Sequence, residues 1–399
     1  MAARLPAWLV RMPARNSDES HRSSTPLELF FDLCFVVAIA QAASSLHHAL
    51  DETYFVRALI GYPTAFFAIW WAWVNFTWFA SAYDNDDVIY RICVFVQVAG
   101  VLVLAAGVPR MFADDTVALA VAGYLIMRVG LIALWIRAAL SDPPRRRTNL
   151  RYAIGLSVAQ LGWIVWAATP RWVHLPLFLV LAAVEMSVPI WAERFAASPW
   201  HPDHIAERYG LFTIIVLGES VLSATVAVQS SLDAGGAADG VLMTAFGALL
   251  IVCSMWWIYF AQPAERLIED ARHAGVERPS SASFVWGYGH YFVYAAAAAV
   301  GGGIASRVAQ LTHHTGISSD QAVLVVAVPV AIYTVSVWVL HRRSRDRGAV
   351  LWAYPVVAVL ILLGGLIGLP VVVTGLLMVA LVAVGEVRGR APDPTAAAD

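Results

Sequence analysis

The chain contains no lysine: all 26 of its basic residues are arginine. Charge of either sign is scarce, at 14% of 399 residues, against 60% hydrophobic residues and a mean hydropathy of +0.68. So little polarity does not cover the surface of a water-soluble fold of this length, which leaves an integral membrane protein. The net charge of -2 provides no basic field for nucleic acid, so no nucleic-acid partner is expected. Cysteine is also rare. Cys34, Cys93 and Cys253 each lie in an apolar run, which excludes a disulfide framework or a cysteine metal motif and predicts three buried free thiols. No histidine-rich set or nucleophile motif stands out, and neither a metal nor a cofactor is expected.

What the sequence has in abundance is apolar segments of helix length, near 27–47, 56–82, 88–107, 116–140, 149–168, 172–192, 205–228, 240–261, 284–306, 321–340, 349–368 and 370–386. Each suits a hydrocarbon core of about 30 Å, giving twelve spans. The Gly368-Leu369-Pro370 break between the last two keeps eleven as the competing count. Arginine placement tests the topology, because cytoplasmic flanks hold the excess. With both termini in the cytoplasm, 21 arginines fall on cytoplasmic tails and loops, four on outside loops, and Arg128 within a span. The densest loops are Arg137 with Arg145-Arg146-Arg147 and Arg151, and Arg342-Arg343-Ser344-Arg345-Asp346-Arg347. Residues 1–26 are polar and read as a cytoplasmic tail rather than a cleavable signal. The expected location is the cytoplasmic membrane, with membrane lipids as partners and a homo-oligomer compatible with the sequence.

Two halves of the chain echo each other. Glu28-Leu29-Phe30-Phe31-Asp32 opens span one as Glu207-Arg208-Tyr209-Gly210-Leu211 opens span seven. Trp70-Trp71-Ala72-Trp73 precedes Asp84-Asn85-Asp86-Asp87 in the first half, and Trp256-Trp257-Ile258-Tyr259 precedes Gln262-Pro263-Ala264-Glu265-Arg266 in the second; Arg91 and His290 open the third members. The pattern predicts an all-α protein of two parallel six-helix repeats, 27–203 and 204–386, between an N-terminal tail, 1–26, and a C-terminal tail, 387–399.

Chemistry is expected where charge enters the membrane. Glu219 lies twelve residues beyond Glu207, roughly 18 Å along a helix, and a carboxylate at that depth is a functional candidate by default. At about 100° per residue, Arg208 and Glu219 share a face with Phe212 and Ser223. Glu207 aligns instead with Gly218, whose missing side chain would let another helix approach closely. The other deep groups are Arg128 and Glu185, with Gln97 and Gln160 as neighbours, and Arg128 is expected to neutralise Glu185 or Glu219.

Nearer the cytoplasmic surface the topology gathers Glu28, Asp32, Asp84, Asp86, Asp87, Arg91, Glu207, Arg208 and His290. Glu28 and Asp32 are four apart and share a face; they read as a salt-bridge network with Arg91 or Arg208, or as a working site. Asp84, Asp86 and Asp87 read as a cation site or as an exposed acidic helix end, and His290 as a packed or a proton-sensitive imidazole. Trp70, Trp71, Trp73 and Trp78 are dense enough for an aromatic-lined cavity or for plain packing.

Glu28 to Gln41, Tyr83-Asp84-Asn85-Asp86-Asp87, and above all Glu207-Arg208-Tyr209-Gly210-Leu211-Phe212-Thr213-Ile214-Ile215-Val216-Leu217-Gly218-Glu219-Ser220 resemble signature blocks of the bacterial low temperature requirement protein A family. Gly287-Tyr288-Gly289-His290 resembles a further block. That family is named for a growth phenotype, so the resemblance implies a multi-spanning membrane protein and no particular reaction. Phe30-Phe31-Asp32 is also similar to the Phe-Ser-Asp signature of a two-repeat potassium channel family, with Phe31 in place of the serine and no aspartate at Gly210-Leu211.

Three function classes follow. Transport or permeation of a small solute or ion would use Glu219 as carrier, tuned by Arg128 or Arg208, with Tyr62-Pro63 and Val188-Pro189 interrupting their spans. A membrane enzyme on lipid or isoprenoid substrates would bind a metal-diphosphate at Asp84 to Asp87. The third class is a structural or regulatory membrane protein.

Overall fold

The computed structural model describes residues 11–15, 22–51, 54–113, 116–233, 238–261, 281–312, 315–342 and 349–389. Among these there is no strand, and twelve α-helices follow one another: α1 (Pro26–Asp51), α2 (Phe55–Tyr83), α3 (Val88–Ala113), α4 (Ala118–Ser141), α5 (Arg146–Ala167), α6 (His174–Ala192), α7 (Pro202–Asp233), α8 (Ala238–Phe260), α9 (Ser281–Leu311), α10 (Ser319–Val337), α11 (Ala349–Leu366) and α12 (Val371–Gly389). The loop carrying Gln262 to Arg266, the arginines at 343, 345 and 347, and most of both tails lie outside the described residues.

Nine of the twelve are long and apolar enough to cross a membrane, and α11 and α12 are shorter apolar helices. The Gly-Leu-Pro break therefore separates two helices, with Gly368 at φ 71 in a turn that needs a residue without a β-carbon. α5 falls short in hydropathy because Arg146, Arg147 and Arg151 occupy its first turns, yet Ile154, Val158, Leu161 and Val165 form an exposed apolar stripe along it. An outward apolar stripe on a helix whose other face is packed is a lipid-facing pattern. The protein is an all-α integral membrane protein.

The helices form two compact units: one from the described parts of Met1–Ser45, Val56–Ile215 and Ala264–Phe284, the other from Leu46–Phe55, Val216–Pro263 and Val285–Asp399. Between lipid-exposed helices there is little hydrophobic force, so close packing is carried by small residues. In the first unit Gly100 on α3 meets Gly123 on α4, Gly107 lies against Ala120, and Gly130 lies against Cys93; a β-carbon at Gly100 would lie 2.7 Å from the Gly123 carbonyl oxygen, and one at Gly123 would land on the Leu104 amide nitrogen. Trp135 of α4 stacks on Tyr152 of α5 at 4.0 Å. In the second unit Gly247 of α8 abuts the α12 backbone, 2.7 Å from the Val372 nitrogen by the same measure.

Three expectations are corrected. The thiols are free but not buried: Cys34 and Cys93 are half-buried and Cys253 is exposed, because apolar runs face lipid as readily as protein. Pro63 and Pro189 do not interrupt their spans; α2 and α6 run through them. Beside Pro63, the Thr64 hydroxyl donates to the Ile60 and Gly61 carbonyls at 2.8 and 2.9 Å, adding bonds to the turn that contains the proline. Gly218 is exposed, with no atom within 4 Å of a β-carbon placed there, so the described residues bring no helix against it.

Candidate functional site

A capping box sets the start of α1. Thr25 Oγ1 accepts from the Glu28 amide at 3.3 Å, Glu28 Oε2 accepts from the Thr25 amide at 2.8 Å, and Pro26 takes the first helical position. Asp32 follows one turn later on the same face. Arg208 of α7 grips Asp32 with Nε at 2.9 Å and Nη2 at 2.5 Å, and its Nη1 lies 3.2 Å from Glu28. Trp73 donates to Asp32 at 2.6 Å, His204 Nε2 lies 3.1 Å from Glu28, and Thr77 accepts from Arg208 at 3.3 Å. Arg22 donates to the Ser81 and Ala80 carbonyls at the end of α2 and sits 3.8 Å from Glu28 and 3.9 Å from Asp84. Glu28, Asp32, His204 and Arg208 are fully buried. Their charges pair in a medium that screens poorly, which makes the set rigid.

The acidic run after α2 is held by arginines. Asp87 caps α3 by accepting from the Tyr90 amide at 2.9 Å and pairs with Arg137. Asp86, at φ 47 in the left-handed region that aspartate tolerates, pairs with Arg91 through two bonds of 2.8 and 2.7 Å at the surface. Asp84 accepts from the Asp86 amide at 3.1 Å and faces Arg15 at 3.8 Å. The run is thus a helix cap with salt bridges. Burial, with Glu28 beside it, pushes the Asp84 carboxyl up to about 6 against the pull of Arg22 and Arg15. The folded state then holds this proton more tightly than the unfolded chain, so stability is expected to fall as pH rises from about 4 to about 6, by on the order of 2–3 kcal/mol, and to level off above. Unfolding in detergent across that range measures the slope, and Asp84→Asn should lessen it.

A second buried pair also belongs to the first unit. Arg128 of α4 holds Glu185 of α6 at 2.9 Å, while Tyr124 and Trp163 donate to the other Glu185 oxygen at 2.8 and 3.0 Å. Arg128 thus neutralises Glu185. Gln97 donates to the Cys93 carbonyl at 3.3 Å, and the Gln160 amide is buried with no partner among the described residues.

Glu219 belongs to the second unit and is set differently. It is 3% exposed; Ser223 donates to its Oε1 at 2.6 Å, and its Oε2 has no partner among the described residues. Small residues bring α9 close: Ser220 donates to the Ala297 carbonyl at 2.8 Å, and a β-carbon at Gly301 would lie 3.3 Å from Ser223 Cβ. His290, also in this unit, is fully buried, with Nδ1 2.7 Å from the Trp286 carbonyl and Nε2 3.0 Å from the Tyr259 hydroxyl.

The surface group expected from the topology is therefore divided. Glu28, Asp32 and Arg208 meet, with Asp84 at their edge through Arg22. Asp86 with Arg91 and Asp87 with Arg137 are separate pairs. Glu207 is exposed and accepts from the Ser24 amide at 3.2 Å. The tryptophans pack: Trp70, Trp71 and Trp73 are buried, and Trp73 stacks on Phe212 at 4.1 Å. Sequence reasoning missed Thr77, His204, Tyr124 and Trp163, which are uncharged or weakly charged. His204 carried the one usable signal, standing four residues before Arg208 on the same helix face.

The family model for the bacterial low temperature requirement A protein (LtrA) matches residues 23–387. An uncharacterized protein of Rhizobium meliloti (strain 1021) is 30% identical over 293 residues, which covers 71% of this chain and 68% of that protein. The match spans both units, both buried arginine clusters and Glu219, and the chain belongs to the LtrA family.

Proposed function

We propose that the protein passes a small cation or proton across the membrane, with Glu219 as the group that carries it. One observation supports this reading: Glu28, Asp32 and Glu185 each have an arginine within 3.2 Å, whereas the side chain bonded to Glu219 is a serine. A buried carboxylate with no cation partner among the described residues is suited to hold a proton or to meet an ion from outside the fold. The Arg208 and Arg128 clusters then serve as scaffold. In this reading both termini are cytoplasmic, the membrane is the cytoplasmic membrane, and 27–203 and 204–386 are the paired repeats.

Purified protein in liposomes under pH and cation gradients should show a flux that Glu219→Gln lowers by about tenfold or more, equivalent to about 1.4 kcal/mol or more. Ser223→Ala should lower it less, since the carboxylate remains. A wild-type flux that Glu219→Gln leaves unaltered, or no flux at all, defeats the reading.

A further inference from the structure

The first unit holds a cavity that none of this chemistry uses. It occupies about 250 Å³ where α2, α4 and α6 begin and α3 and α5 end, and Arg57, Arg171, His174, Thr64, Trp166 and Phe178 are among its walls. Arg57 and Arg171 are exposed, while Trp166 and Phe178 are buried, so charge stands at the surface and aromatic rings line the interior. The rings are locked together. Trp166 donates to the His174 carbonyl at 2.9 Å, His174 Nε2 donates to the Thr169 carbonyl at 3.0 Å, and the Trp166 and Phe178 centroids are 5.9 Å apart. A narrower pocket of about 30 Å³ shares Thr64, Met111, Trp166 and Phe178 with the cavity and reaches Tyr124 and Trp163, the two donors to Glu185.

We propose that this cavity binds the oxyanion head of an amphiphile, specifically the phosphate of an anionic membrane lipid. The guanidinium groups of Arg57 and Arg171 suit a phosphate, because arginine meets it through paired donors. The cavity is smaller than the roughly 300–1,000 Å³ that encloses a drug-sized molecule, so a head group enters and the remainder stays outside. Outside, the surface suits acyl chains: Val56, Leu59, Trp172 and Leu175 are exposed, Trp172 at 82%. A tryptophan so exposed beside an arginine belongs at the interface of a bilayer. The site lies in a different unit from Glu219 and stands apart from the transport reading.

The test uses the full chain in neutral detergent, stripped of lipid, with native mass spectrometry and thermal unfolding as readouts. Three probes are compared: a short-chain phosphatidylglycerol, the phosphatidylcholine with the same chains, and inorganic phosphate. Phosphatidylglycerol should bind saturably at one site and raise the Tm, with the other two at least about tenfold weaker, phosphatidylcholine because its choline cation meets the guanidinium groups and inorganic phosphate because it brings no acyl chains. The double variant Arg57→Ala/Arg171→Ala should reduce phosphatidylglycerol to the phosphatidylcholine level. Arg171→Lys, which keeps the charge but loses the paired donors, should retain part of the effect even if the double variant folds poorly, and Arg151→Ala, whose guanidinium lies over Trp191 and Phe195, should retain all of it. Equal binding of the two lipids, an unchanged double variant, or inorganic phosphate matching phosphatidylglycerol would each overturn the proposal, the last by showing a free anion as the ligand.

Discussion

Arg208→Met should cost the folded protein about 3–5 kcal/mol, because it leaves two buried carboxylates without the cation that joins them. The size follows from the geometry. Arg208 meets both Asp32 oxygens with separate nitrogens and offers a third to Glu28, and none of the three side chains has measurable access to solvent. Methionine fills much of the same space, so the loss reports charge rather than a void. Unfolding in mild detergent measures it. Adding Asp32→Asn to Arg208→Met should restore part of the stability by removing the charge that arginine held, whereas Asp32→Asn alone should destabilise. If Arg208→Met unfolds like the wild type, the cluster is not the scaffold described here.

The second large effect is steric. Gly123→Ala places a β-carbon on the Leu104 amide nitrogen and against the Gly100 carbonyl oxygen, which would stand 2.7 Å away. Both obstacles are backbone, so no side chain can swing aside and α3 must part from α4. Overpacking of this kind costs about 1–3 kcal/mol where side chains can yield, and here the loss should reach or exceed that upper figure. Gly218→Ala is the matched control, since a β-carbon there meets open space and alanine favours the helix. Unfolding of the two variants side by side separates close packing from a general effect on glycine.

The helices themselves were legible in one dimension. A bilayer demands runs of about twenty apolar residues with internally satisfied backbones, so composition and breakers mark each span. The face shared by Glu28 and Asp32 was legible too, because the helical period puts residues four apart side by side. What period does not state is which face meets which. Asp32 and Arg208 are 176 positions apart, and Arg91, the other candidate partner, turned instead to Asp86. Arg128 had two acids to choose between, and packing of α4 near α6 gave it Glu185. The same gap explains Gly218: the sequence marked a face free of side chains, but the close approach of α9 came at Ser220 and Ser223, through Gly301.

By itself, then, the sequence determined a membrane-embedded all-α chain and roughly where its helices run, because hydrophobic length and helical period are local properties. Only the tertiary structure decided which buried acids would be neutralised, because a buried carboxylate cut off from water must find its partner on another helix. Glu28, Asp32 and Glu185 are given arginines by that packing, and Glu219 is given Ser223.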